Sequence, residues 1–284
     1  MMMLSFGVFL KPSADQPVGH LNLAGYSSYA IAAAIVMTLA IAISALGTQK
    51  RILQRPAPPP PVKTTIGVML KEMLSILVHP AYISILLASI FFAIASGLTL
   101  SLQVYFWTYL WELSSGQIAS ISSAILLGLL LALTVVLPVA VRFGKKQIAI
   151  GLFLLSLACT STPLLLRLNG LFLTNGDPLL LYALMGFLSF AMMCTISGGI
   201  LAVSMVADVT DQIQLDTGKQ SEGLLFSAAT MVNKAISGMG ILMAGLILSF
   251  AGFPEAATPG HVPPDALAKL AIIFLCAVAA STVL

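Results

Sequence analysis

Seven apolar runs, each long enough to cross a bilayer, limit what this chain can fold into more than any motif does. They cover roughly residues 26–48, 81–110, 118–141, 147–167, 179–206, 223–250 and 266–284, and a membrane-crossing helix needs about 20 mostly apolar residues. Hydrocarbon offers no water to backbone amides, so only helices and closed barrels span it. Barrel strands would be about half as long and would alternate in polarity. These runs do neither, and their alanine, leucine and glycine content suits closely packed helices. The expectation is an all-α, polytopic transmembrane bundle of about seven spans. Composition agrees: 59% of residues are hydrophobic and 8% charged, with a mean hydropathy of +1.04, far from soluble averages.

The formal net charge of +3 is not gathered on one face, so no nucleic-acid partner is expected. Basic residues instead alternate between connections. Lys50, Arg51, Arg55, Lys63, Lys71, Arg142, Lys145, Lys146 and Lys219 fall on one side, against Lys11, Arg167 and Lys269 on the other. The positive-inside rule puts the first set in the cytoplasm. The chain then begins outside and ends inside. Its opening "MMMLSFGVFLKPSADQ" lacks a basic n-region and reads as the end of a helix, not as a signal peptide. A missing N-terminal portion is expected.

Between the first two spans, "QRPAPPPPVK" reads as a stiff polyproline connector. In "IGVMLKEMLSIL", Ile66, Met69, Leu70, Met73, Leu74 and Leu77 share one face of a helix lying on the membrane surface. Three segments follow: 1–49, the linker 50–80, and the bundle 81–284. Small residues form packing rows at Ser89, Ala93, Gly97 and Ser101, at Gly198 and Ala202, and at Gly240 and Ala244. Cys159, Cys194 and Cys276 sit within apolar runs and read as small apolar residues, while His20, His79 and His261 are scattered. No zinc-type ligand set or histidine-activated nucleophile is visible, so neither an enzyme nor a bound cofactor is expected.

Polarity concentrates in "DVTDQIQLDTGKQSEGLLFSAATMVNK", residues 208–234. If the sixth span starts near Gly223, Lys234 lies roughly 16 Å deep. An ammonium at that depth costs at least about 2.5 kcal/mol unless it meets a carboxylate, carbonyls or a wet cavity. No acid inside the seven spans offers itself, so a partner supplied by absent helices is expected. Asn233 beside it is a candidate for the same region. Asp208 and Asp211, three apart at the inner end of the fifth span, need cationic compensation against the helix dipole. Arg142, Lys145, Lys146 and Lys219 are the candidates on that side. Thr217 and Gly218 suggest a turn, and Ser221 with Glu222 a helix start. On the second span, Trp107, Tyr109 and Trp111 suit interface anchors, whereas the deeper Gln103 and Tyr105 could hydrogen-bond a hydroxylated ligand.

"ADVTDQIQLDTGKQSEG" resembles the cytoplasmic connection between the tenth and eleventh helices of the glycoside-pentoside-hexuronide:cation symporters, relatives of melibiose permease in the major facilitator superfamily. Ala207, Asp208, Asp211, Thr217, Gly218, Glu222, Gly223 and Lys234 match that family's pattern, while Gln220 stands where a basic residue is common and Lys219 comes one position early. The opening segment is similar to the end of the fifth helix and the sixth helix, making 1–49 the remnant of an N-terminal transmembrane domain and 81–284 the six-helix C-terminal domain.

The resemblance implies a secondary active transporter working by alternating access. It would couple Na⁺ or H⁺ to symport of a sugar, glycoside or related small solute, in a bacterial inner (plasma) membrane. It places Lys234 in the central cation and substrate region. The cation-site acids of the family lie chiefly in the N-terminal half, so the chain is expected to need that half. Asp208, Asp211 and Glu222, with Arg142 or Lys219, would form a cytoplasmic gate. Two other readings stay open: a carrier of a lipid-like amphiphile, and a non-transporting membrane scaffold or sensor that shares the fold.

Overall fold

The structure is a computed structural model of the 284-residue chain and describes residues 23–53, 65, 67, 78, 80–217, 222–254 and 257–283. Seven helices among them are long and apolar enough to cross a membrane. They are α1 (Leu23–Leu53), α2 (Pro80–Tyr105), α3 (Ser115–Phe143), α4 (Lys145–Leu168), α5 (Pro178–Thr217), α6 (Glu222–Phe250) and α7 (Pro264–Val283). A π-helical turn, Phe106–Leu110, continues α2. No strand occurs among the described residues. The expected all-α transmembrane bundle is therefore what the chain forms. The connector and surface helix expected within 50–80 fall almost wholly outside the described residues.

Two compact units divide the chain: residues 1–69 with 114–122, and residues 70–113 with 123–284. In the first, α1 continues through Lys50 and Arg51 to Leu53, and no described residue of its apolar window is buried. Ser114 and Gln117 cap the start of α3 reciprocally. The Ser114 amide donates to Gln117 Oε1 (2.8 Å), and the Gln117 amide donates to Ser114 Oγ (3.3 Å).

The second unit is held by small residues where backbones meet. A Cβ on Gly97 of α2 would stand 2.5 Å from the carbonyl oxygen of Ser237 on α6, and one on Gly240 would stand 2.8 Å from that of Ile94. The small rows on these two helices thus face each other. A Cβ on Gly128 of α3 would stand 2.7 Å from the Ser189 carbonyl oxygen of α5, and Ala132 packs a turn later against Met193 and Cys194. Gly198 of α5 receives the ring of Phe153 from α4, which also meets Phe92 of α2 at 5.3 Å. Polar contacts supplement this packing: Ser156 Oγ of α4 lies 2.6 Å from Thr195 Oγ1 of α5 and 3.2 Å from the Ala191 carbonyl oxygen. Hydrocarbon supplies no hydrophobic force between helices, so such close backbone approach and interhelical hydrogen bonds hold them together. α4 runs on through the buried Pro163.

α5 departs from expectation. A span of 179–206 followed by a polar connection was expected, but the helix continues without a break to Thr217. Its 40 residues measure about 60 Å, roughly twice the hydrocarbon thickness. The extension is amphipathic. Val206, Thr210 and Ile213 are buried at helical spacing, while Asp208, Asp211, Gln212 and Leu215 are exposed. Ile213 packs with Tyr82 of α2 and Leu225 of α6, and Leu86 and Val209 close the cluster.

Candidate functional site

At the basic end of the bundle, α3 and α4 are joined by the single residue Gly144, whose φ of +85° is one that side chains rarely adopt. This sharp junction puts Lys145 at the first position of α4, beside the α5 extension. Its Nζ donates to both carboxylate oxygens of Asp208, at 2.8 and 2.6 Å. Both side chains are about half exposed, at 41% and 56%. Among the described residues the cation that meets Asp208 is therefore Lys145. Asp211 is exposed on the same helix. The side chains of Arg142, Thr217 and Glu222, and the whole of Gly218 and Lys219, lie outside the described residues.

Beneath this pair, Tyr82 is 1% exposed and donates its hydroxyl to the Leu225 carbonyl oxygen at 2.9 Å. Three helix ends, those of α2, α5 and α6, are thereby closed around one apolar cluster. Tyr82 was not singled out by sequence reasoning. Its signal was available, since a tyrosine at the start of a span needs a partner for its hydroxyl when it is buried.

Lys234 lies nine residues beyond Leu225, about 14 Å along α6. It does not face the seam with α2, which Ser237, Gly240 and Ala244 occupy. It stands on an exposed stripe with Met231, Ala235, Gly238, Met239 and Leu242. Among the described residues its ammonium has neither a carboxylate partner nor a hydrogen-bond acceptor. Asn233, half-buried, donates Nδ2 to the Ala229 carbonyl oxygen at 3.2 Å, within its own helix.

Gln103 and Tyr105 do not converge. Two residues of helix turn a side chain by about 200°, so they occupy opposite sides of α2. Tyr105 joins an aromatic cluster, 6.0 Å from Tyr109 and 5.5 Å from Phe253, edge-on to the latter. Gln103 is half-buried elsewhere on the helix.

Opposite the basic end, a second polar network gathers at the end of α2. Asn175, in the α4–α5 connection, donates Nδ2 to the Leu110 carbonyl oxygen at 3.3 Å. Arg167 donates Nη2 to Asn175 Oδ1 at 2.8 Å and Nη1 to the Leu173 carbonyl oxygen at 3.0 Å. Its guanidinium lies 5.7 Å from the ring centre of Trp111. From the sequence alone, Arg167 is only an orientation charge.

A multi-pass helical bundle with small-residue seams, an ion pair at one end and, on an exposed stripe within a span, a lysine that has no partner among the described residues defines a polytopic helical membrane protein. A comparison with family models matches residues 1–284 to the family described as MFS/sugar transport protein. The chain belongs to that family, within the major facilitator superfamily. Comparison with curated proteins and with solved structures returned no match.

Proposed function

We propose that the protein is a cation-coupled symporter of a sugar or related small solute, moving it by alternating access with Na⁺ or H⁺ as the driving ion. The observation that carries this reading is Lys234. An ammonium on an outward stripe about 14 Å into a span would cost at least about 2.5 kcal/mol against hydrocarbon. That cost is avoided if the stripe faces a polar path between this bundle and a second one. Carriers built of two bundles hold their substrate near the membrane midplane at such an interface. Lys234 is then the group that alternates between cation- and solute-linked partners. Membership of a sugar-transport family supports the solute class.

The Lys145–Asp208 pair acts in this scheme as a cytoplasmic gate contact, with Asp211, Glu222, Arg142 and Lys219 as neighbouring charges. Breaking it frees the α5 extension from the α4 start when the path opens inward. The bacterial plasma membrane is the proposed location.

The test is uptake by the assembled two-bundle carrier, in proteoliposomes, of labelled hexoses, pentoses, glycosides and hexuronides under an inward Na⁺ or H⁺ gradient. Gradient-driven accumulation of at least one is expected, and Lys234→Ala should abolish it while leaving the protein folded. Gradient-driven uptake that survives Lys234→Ala removes the lysine from the path, and no uptake of any probe overturns the sugar-symport reading.

A further inference from the structure

Three parts of the second unit converge on the π-helical turn Phe106–Leu110. Phe106 meets Phe274 of α7 at 5.1 Å. Phe253, just after α6, stands edge-on to Tyr105 and Tyr109 at 5.5 and 5.0 Å. Asn175 of the α4–α5 connection holds the Leu110 carbonyl oxygen, and Arg167 holds Asn175. Trp111, 4% exposed, meets the Arg167 guanidinium over its ring and the Phe172 ring edge-on, with ring centres 5.3 Å apart.

The backbone of this turn is unusually wide. The Trp111 amide reaches back five residues to the Phe106 oxygen and the Leu113 amide six residues to that of Trp107, both at 2.9 Å. Glu112 has a φ of +50°, the left-handed region that disfavours any residue but glycine. The same residues could wind as ordinary α-helix, which would turn everything beyond the change by about 100°. What the wide register has in compensation is the side-chain strut: Arg167 gripping Asn175, Asn175 gripping Leu110, and Trp111 stacked beneath the guanidinium.

We propose that Phe106–Leu110 is a two-register latch, held in the wide register by the Arg167–Asn175 strut and released to the α register when the α4–α5 connection lets go. Release turns Trp111 out from under Arg167 and frees the end of α2 from its neighbours. That this would govern solute access at the non-basic end rests on the transport reading above; the latch itself does not.

The chain's two tryptophans are Trp107 and Trp111, so intrinsic fluorescence reports on this turn alone. Asn175→Ala and Arg167→Gln, purified in nanodiscs without any solute, should each show red-shifted emission. Acrylamide quenching should rise at least about twofold, and the double variant should go no further than either single one. Glu112→Gly tests the register. Glycine removes the penalty carried only by the wide form, so adding it to Asn175→Ala should restore the native emission and quenching.

Native quenching in both strut variants overturns the proposal. So does exposure that Glu112→Gly leaves uncorrected, which would mean general loosening. Where Arg167→Gln is not recovered folded, Asn175→Ala with and without Glu112→Gly decides the matter. Because no solute enters the measurement, its outcome is separate from that of the uptake test.

Discussion

Tyr82 and Asp208 make opposite kinds of contact at the same end of the bundle, and burial decides which one matters for stability. The Tyr82 hydroxyl is almost fully enclosed and its hydrogen bond to Leu225 joins residues 143 apart in sequence. A neutral hydrogen bond of this sort contributes about 1 kcal/mol, and more is lost if a buried group is left unmet. Tyr82→Phe keeps the ring in the Ile213–Leu225 cluster and removes only that bond. It should lower unfolding free energy by about 1 kcal/mol, measured by denaturant titration in detergent. The Lys145–Asp208 pair, for all its short distances, is about half exposed, where water and salt screen it. Asp208→Asn should therefore change stability by no more than about 1 kcal/mol in the same titration. A larger loss would mean that the pair is structural and not a releasable gate contact.

At the scale of the helix, glycine position separates seam from surface. Gly240 and Gly245 stand five residues apart on α6, yet only Gly240 is pressed against another backbone; nothing lies within 4 Å of a Cβ on Gly245. Gly240→Ala forces α2 and α6 apart, because the obstructing atoms are the Ile94 carbonyl oxygen and Gly97 Cα, not a side chain that can swing away. The expected cost is about 1–3 kcal/mol, while Gly245→Ala should be neutral or slightly stabilising. A thermal-shift comparison of the two in one detergent checks this. The spans were legible because hydrocarbon demands about 20 apolar residues wherever a helix crosses it. The α5 extension was not, although Val206, Val209, Thr210 and Ile213 carry the helical period. Acids on the other face made 208–217 read as a connection, and the apolar cover from Tyr82 and Leu225 comes from helices far away in sequence. The same reason hid Lys145 among four candidate cations for Asp208, and hid the role of Arg167. Each depends on which helix ends tertiary packing brings together.

For the whole molecule, the question is what faces the outward stripe of α6. α3 also turns large apolar residues outward, with Leu130 at 60% and Leu133 at 53% exposure, and that surface needs only lipid. The α6 stripe carries Met231 at 73% and Met239 at 56% exposure, but with Lys234 and the open Gly238 between them. Charge and missing bulk at mid-span make it a poor lipid surface and a suitable wall for a polar path. Cysteine chemistry distinguishes the two because the reactive thiolate forms in water. With Cys159, Cys194 and Cys276 replaced by alanine, Met231→Cys in the assembled carrier should react with a charged, water-soluble maleimide at least about tenfold faster than Leu130→Cys. Adding the transported solute with its coupling cation should slow the Met231→Cys reaction and leave the Leu130→Cys rate unchanged. Equally slow labelling at both positions would put the stripe in lipid and leave Lys234 without the polar path on which the carrier reading depends.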